Sequence, residues 1–152
     1  HDTVCMKTLA VNKRASFDYE LQDRYEAGLV LTGNEVKAAK TGHISLKGAF
    51  VTTHGSELYL TNSLIPRYEH AHKDTKNEDT RPRKLLLKRS EIRSLIGKSR
   101  VEGLTLVPLR VYTKNQLIKL EFAVGKGKKS YDKRETIKKR EAKRDMGRAM
   151  KH

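Results

Sequence analysis

Apolar residues in the first four-fifths of the chain recur mostly at every second position. Phe17, Tyr19 and Leu21 alternate with polar neighbours, and Tyr25, Ala27, Leu29 and Leu31 resume the rhythm. Period two across FDYELQDRYEAGLVL predicts two half-buried strands with a turn at residues 22–24. TGNEVKAAKTG breaks the alternation: Thr32 and Glu35 have capping-box spacing and Gly42 is placed to end a short helix. ISLKGAFVTTHGSELYLTNSLI predicts a hairpin turning at residues 54–56, with Leu58 and Leu60 on one face. LLLKRSEIRSLIGKSRVEG predicts a helix capped by Ser90, carrying Ile92, Leu95 and Ile96, with Gly97 bending or ending it and Gly103 closing the segment. LTLVPLRVYTKNQLIKLEFAVGK predicts two more strands, turning near residues 114–116, with Pro108 at an edge or a bulge. Residues 66–84 have almost nothing to bury, and a loop that long is functional or disordered.

Five or six antiparallel strands and two short helices predict a mainly β fold over residues 10–125. The leading form is a small oligonucleotide-binding barrel; a β-sandwich would give similar alternation. Residues 1–9 are read as a flexible N-terminus, and HDTVC, which starts without Met, carries no functional weight. A 152-residue chain buries roughly two-thirds of its unfolded surface, enough for a core without staples.

Charge changes the picture at the other end. Residues 126–152, KGKKSYDKRETIKKREAKRDMGRAMKH, hold 12 Lys/Arg against 4 Asp/Glu and so carry +8 of the chain's +15. Beyond Tyr131 their apolar side chains are Ile137, Ala142, Met146, Ala149 and Met150, too few to offset ordering entropy by burial. Glu135 with Lys139 and Asp145 with Arg148 have helical pair spacing, each pair adding only ~0.2–0.5 kcal/mol. The tail is therefore expected to be mostly unstructured alone and helical against a polyanion. The pI near 10.0 favours nucleic acid over an anionic membrane as partner. No apolar run approaches the ~20 residues of a span, and residues 4–11 lack the apolar length of a secretory signal. Cys5 is the single cysteine, so no internal disulfide forms, in keeping with a reducing compartment.

Enzyme motifs are few. GKGKK lacks the spacing and the terminal Ser/Thr of a phosphate-binding loop. His70 and His72 lie in a polar loop without cysteine nearby, and Asp74, Glu78 and Asp79 read as ordinary loop solvation, so no metal site, cofactor or catalytic group is assigned. Basic clusters are the positive signal: residues 12–14, Arg81 to Lys84 with Lys88 and Arg89, and the tail. Such clusters bind phosphate, and Tyr131, embedded in charge, can stack on an unpaired base or stay solvated.

AVNKRA, YEAGLVLTGNEVKAAKTG, RPRKLLLKRSEI, GLTLVPLRVY and GKGKKSYDKRETIKKRE occur in that order. Together they resemble the SsrA-binding protein (small protein B) family, partners of bacterial transfer-messenger RNA, from about Ala10 to Lys151. The resemblance implies a barrel that grips the tRNA-like domain of that RNA and enters, with it, the vacant A site of a stalled ribosome. By motif, Asn12, Glu26 and Leu86 would face RNA, supported by Lys13, Arg14, Arg83 and Lys84, with Lys126, Lys128 and Lys129 on phosphate near the barrel exit. Tyr131, Asp132, Lys133 and Arg134 would reach the decoding centre. Residues 136–151, including Ile137, Lys138, Lys139, Arg140, Lys143, Arg144, Met150 and Lys151, would lie as a helix in the empty mRNA channel. Small-subunit ribosomal RNA is thus an implied partner; elongation factor Tu and alanyl-tRNA synthetase are implied indirectly through the RNA. Ala142 and Gly147 weaken the helix relative to other members, and Phe17 stands where a basic residue or His is common, so it receives no RNA contact.

From the residues alone, Glu26 has the alternative of a strand-surface carboxylate paired with a nearby lysine, and Leu86 more often signals a core position; only the resemblance puts it on RNA. The expected function is a non-enzymatic RNA adaptor in the bacterial cytosol, or in an organelle of bacterial ancestry. The rivals are a structural ribosomal protein or translation factor with the same barrel, and an RNA-processing enzyme, which the lack of an acid pair disfavours.

Overall fold

The computed structural model describes residues 6–66, 78–101 and 103–128, with positions 134, 137, 138, 140 and 141. Its order is β1 (Met6–Val11), α1 (Ala15–Asp18), β2 (Tyr19–Leu29), α2 (Gly33–Lys40), β3 (Phe50–His54), β4 (Glu57–Thr61), a 3-10 turn (Glu78–Thr80), β5 (Arg83–Leu86), α3 (Arg89–Ser99), β6 (Leu104–Lys114) and β7 (Leu117–Gly127). The sheet runs β1-β6-β3-β4-β5-β2-β7, and β7 pairs again with β6, so six strands close and β1 joins from outside. Every pairing is antiparallel. Closure removes the sandwich alternative: this is a small barrel of the oligonucleotide-binding kind.

Alternation decides the two faces. Tyr25, Ala27 and Leu29 of β2, Leu85 of β5 and Ile118, Leu120, Phe122 and Val124 of β7 pack inward, with Leu58, Leu60 and Val111. A smaller cluster of Ala15, Val107, Leu109 and Ala123 lies outside β6 and β7 beneath α1. Gly125 belongs there, since a Cβ would stand 2.9 Å from Val107 Cγ2.

The hairpin at residues 54–56 and the turn at Asn115–Gln116 form as expected, both turn residues of the second having positive φ. The bulge in β6 falls between Pro108 and Arg110. Helix α2 has the full capping box at Thr32 and Glu35, and Gly42 at φ +84° ends it while the His43 N–H bonds to the Ala38 carbonyl.

Elsewhere the structure differs from the pattern. Residues 22–24 make a bulge, not a turn: β7 is long enough to pair with both halves, so one strand β2 continues through it. β1 starts at Met6, inside the stretch read as flexible, because β6 extends past its closure with β3 and offers a free edge at Arg110–Lys114. β5 lies where loop and helix were expected. Helix α3 begins at Arg89 after Lys88, not at Ser90, and runs through Gly97 to Ser99. It is held by Leu95 in the core and by Lys98 Nζ, which donates to the Tyr25 hydroxyl at 2.7 Å and meets Asp23 at 3.2 Å.

A charged network lies inside, built from Arg83, Glu35 and Ser63. Arg83 has no exposed surface; its Nε donates to Glu35 Oε2 at 2.6 Å, and its terminal nitrogens to the Ser63 carbonyl at 2.8 Å and the Asp79 carbonyl at 2.9 Å. Arg81 pairs with the other Glu35 oxygen. Burial pushes the Glu35 carboxyl up, but the Thr32 N–H and the two guanidinium groups outweigh it and leave the pKa below the usual value. A depressed folded pKa gives stability that is complete above the ordinary carboxylate range and lost as pH falls through the folded value. Glu35→Gln keeps the cap but leaves Arg83 uncompensated, and should cost about 3 kcal/mol in urea unfolding at pH 7. That cost should shrink below about pH 4. A cost under about 1 kcal/mol, or one unchanged with pH, would show the pair to be dispensable.

Candidate nucleic-acid interface

Strands β5, β2, β7, β6 and β1 lie side by side and present one outer surface. Leu86, Gly28, Lys119, Tyr112 and Thr8 form a single row across it. At ~4.8 Å per strand the row spans about 19 Å. Glu26, Glu121, Arg110 and Val11 form the neighbouring row.

Tyr112 is 1% exposed and donates its hydroxyl to Glu26 Oε2. Arg110 lies over its ring at 4.4 Å, and Lys114 Nζ sits 3.5 Å from Glu26 Oε1. Chiefly through the Tyr112 hydroxyl, then through Lys114 and Lys119 against the effect of burial, the Glu26 carboxyl is held below its ordinary pKa. It is an oriented, ionised acceptor on an open surface, able to take further hydrogen bonds from a base or a ribose hydroxyl. Glu121 is bracketed by Arg24 at 3.5 Å and Arg110 at 3.6 Å.

Leu86 is 55% exposed and lies against Gly28, where a Cβ would meet its own Cβ at 3.3 Å. The glycine leaves a shallow step between Leu86 and Lys119, with an apolar wall on one side and a cation on the other. Lys84, one outward position along β5, pairs with Glu57 at 2.9 Å, which raises its pKa. Lys119 was not singled out in the sequence. Its signal was the alternation of LIKLEF, which marks an outward lysine without marking which outward lysine matters.

A second basic region lies by α1. Lys119 to Gly127 covers about 27 Å of strand, ending beside Lys128, whose backbone N–H donates to the Asp18 carbonyl and whose Nζ donates to the Ser16 carbonyl, both at 2.9 Å. Asn12 donates its amide to the Pro108 carbonyl at 2.9 Å and accepts from the Arg14 N–H at 3.3 Å, so it shapes the turn that displays Lys13 and Arg14. Arg14 pairs with Asp18 at 3.3 Å and covers the Phe17 ring at 4.9 Å. Lys126 is exposed beside them.

The structure therefore groups Glu26, Leu86 and Lys84 with Lys119, and Asn12, Lys13 and Arg14 with Lys126 and Lys128. Arg83 is a correction: its guanidinium is buried in the Glu35 pair and offers nothing to a surface ligand. Arg134, Ile137, Lys138, Arg140 and Glu141 have exposed side chains on helical backbone. The Arg140 guanidinium donates to Ser16 Oγ at 3.1 Å, a contact with α1 that composition did not reveal. Lys129, Tyr131, Asp132, Lys133, Lys139, Lys143, Arg144, Met150 and Lys151 lie outside the described residues, as do His70 and His72. Among the described residues no His, Cys, Asp and Glu cluster is arranged to hold a metal, and no helix is long and apolar enough to cross a membrane.

A closed antiparallel barrel with an apolar step, an oriented carboxylate and cations at both ends of one strand defines a nucleic-acid-binding protein of the oligonucleotide-binding class. The family model described as SmpB protein matches residues 9–152. An SsrA-binding protein from Exiguobacterium sibiricum is 49% identical over 144 residues, covering 95% of this chain and 92% of its own. One from Salinispora arenicola is 50% identical over 143 residues, covering 94% and 89%. A chain in the solved structure "tmRNA-SmpB: a journey to the center of the bacterial ribosome" aligns with TM-score 0.64 and 39% identity, over 84% of this chain and 85% of that one. The chain belongs to the SmpB family.

Burial and the bond to Glu26 raise the Tyr112 pKa far above that of an exposed phenol. In an alkaline titration followed at 295 nm, Tyr112 should stay a phenol beyond the ordinary phenol range. Glu26→Gln should lower that resistant transition. Ionisation of Tyr112 within that range would mean that Glu26 is not oriented in this way.

Proposed function

We propose that this chain is a non-enzymatic adaptor that binds the tRNA-like domain of transfer-messenger RNA and delivers it to stalled ribosomes in the bacterial cytosol. The observation that carries the reading is the family match across nearly the whole chain, together with likeness to a chain solved with transfer-messenger RNA in the ribosome. The outer surface suits the task. Lys119 and Lys84 supply sequence-independent attraction for phosphate, Glu26 accepts from bases or 2′-hydroxyls, and Leu86 offers an apolar wall.

The tail has a separate role in this reading. Lys126, Lys128 and Lys129 follow phosphate at the barrel exit, Tyr131 to Arg134 reach the decoding centre, and residues 136–151 occupy the mRNA channel only when it is empty. Its positive charge becomes favourable inside walls of ribosomal RNA, where phosphates remove the self-repulsion. Elongation factor Tu and alanyl-tRNA synthetase would act with the adaptor through the RNA they share.

Removing residues 133–152 should leave affinity for the tRNA-like domain within about twofold and abolish tagging of nascent chains on stalled ribosomes. Loss of RNA affinity on truncation would contradict the division of labour. In a salt titration of RNA binding, Lys119→Ala should reduce the log–log slope by ~0.7–0.9, whereas Glu26→Ala should weaken binding with little slope change. Equal slope changes would show that Glu26 acts only through the charge of its neighbours.

A further inference from the structure

Beside the outer strand row, β5 and α3 enclose a groove of about 510 Å³ whose walls include Leu86, Ile92 and Ile96, with Lys84, Arg89 and Arg93 among its cations. Arg89 and Arg93 are one helical turn apart on α3 and are both exposed. Neither makes an ion pair among the described residues, so two like charges face each other without a carboxylate between them. The one acidic wall residue, Glu57, is already engaged by Lys84 at 2.9 Å and by the Tyr59 hydroxyl at 2.7 Å.

We propose that this groove takes an unpaired nucleotide of the bound RNA, its base against Leu86, Ile92 and Ile96 and its phosphates on Arg89 and Arg93. This rests on the RNA-adaptor reading and adds to it a second contact surface, made by α3. Three features select a nucleotide over another occupant. The walls are apolar and the rim is cationic, which matches a flat base joined to a phosphate. The arginine pair is electrostatically unfavourable until an anion arrives. And the groove is continuous with the proposed RNA face, because Leu86 is a wall of both. A base in this position would be out of its helical stack, as bases in single-stranded loops are. Helix α3 is clamped by Leu95 and Lys98, so the groove is pre-formed and little ordering cost attends its filling.

The full chain is titrated with a fluorescein-labelled transcript of the tRNA-like domain of a bacterial transfer-messenger RNA, and with an unrelated folded RNA of equal length. Arg89→Gln/Arg93→Gln should lower the log–log salt slope by ~1.4–1.8 and weaken binding by about tenfold or more at 0.1 M salt. Ile92→Asn should weaken binding without changing the slope. Independently of any folding defect in these variants, a photo-crosslinking residue at position 92 should join to a loop nucleotide of the transcript. If wild-type chain prefers the transcript and Lys119→Ala weakens it while the arginine pair and the crosslink are silent, the groove assignment is overturned and the adaptor reading stands. A crosslink that appears only to protein on ribosomes overturns it as well. If the wild-type chain shows no preference for the transcript, both readings fall.

Discussion

A guanidinium with no exposed surface fixes how β5 sits in the barrel. Arg83 points inward and reaches α2 through Glu35, the end of the β4 region through Ser63 and the 3-10 turn through Asp79. Since side chains alternate along a strand, Arg83 and Leu85 inside require Lys84 and Leu86 outside. A slip of one residue would bury a lysine and strand the guanidinium in solvent. The ionic contact is thus costly to break but has its main effect as a register device: it decides which residues of a four-residue strand are offered to a ligand.

The neighbouring strands inherit that register. Leu86 lies on Gly28, Gly28 pairs with Lys119, and Lys119 with Tyr112. Tyr112 turns the Glu26 carboxylate outward-facing and ionised. A surface built in this way combines a hydrophobic step, an acceptor and cations within about 15 Å, which a uniformly basic patch cannot do. Lysines alone would hold any polyanion; a fixed acceptor and a shape restrict which folded RNA fits. The other end of β7 has a different character, with α1 and Asn12 organising the exit of a cationic tail.

Much of this was legible before the structure. The period-two pattern located the hairpins at residues 54–56 and 114–116 but also read Phe17, which lies in α1, as strand; Thr32, Glu35 and Gly42 marked where α2 begins and ends. Most of what failed depends on partners distant in sequence; the start of α3 at Arg89 and the short α1 are local exceptions. Residues 22–24 carry turn-compatible side chains, and only the length of β7 makes them a bulge. RKLL is too short and too basic to announce a strand, and Arg83 looks like surface charge until Glu35, 48 residues away, is seen to neutralise it. Asn12 carried a family motif, yet its amide is spent largely on the Pro108 carbonyl and the Arg14 N–H. Lys119 had no local feature to separate it from other outward lysines; it becomes notable only beside Gly28 and Tyr112.

The central claim is that the surface spanning β5, β2 and β7 receives the folded RNA. Amine-reactive footprinting of the full chain, read by mass spectrometry with and without the tRNA-like domain, tests it most directly. Lys84 and Lys119 should lose reactivity in the complex at concentrations where Lys47, in the connection between α2 and β3, does not. Unchanged reactivity of Lys84 and Lys119 in a saturated complex would place the RNA elsewhere and contradict the account.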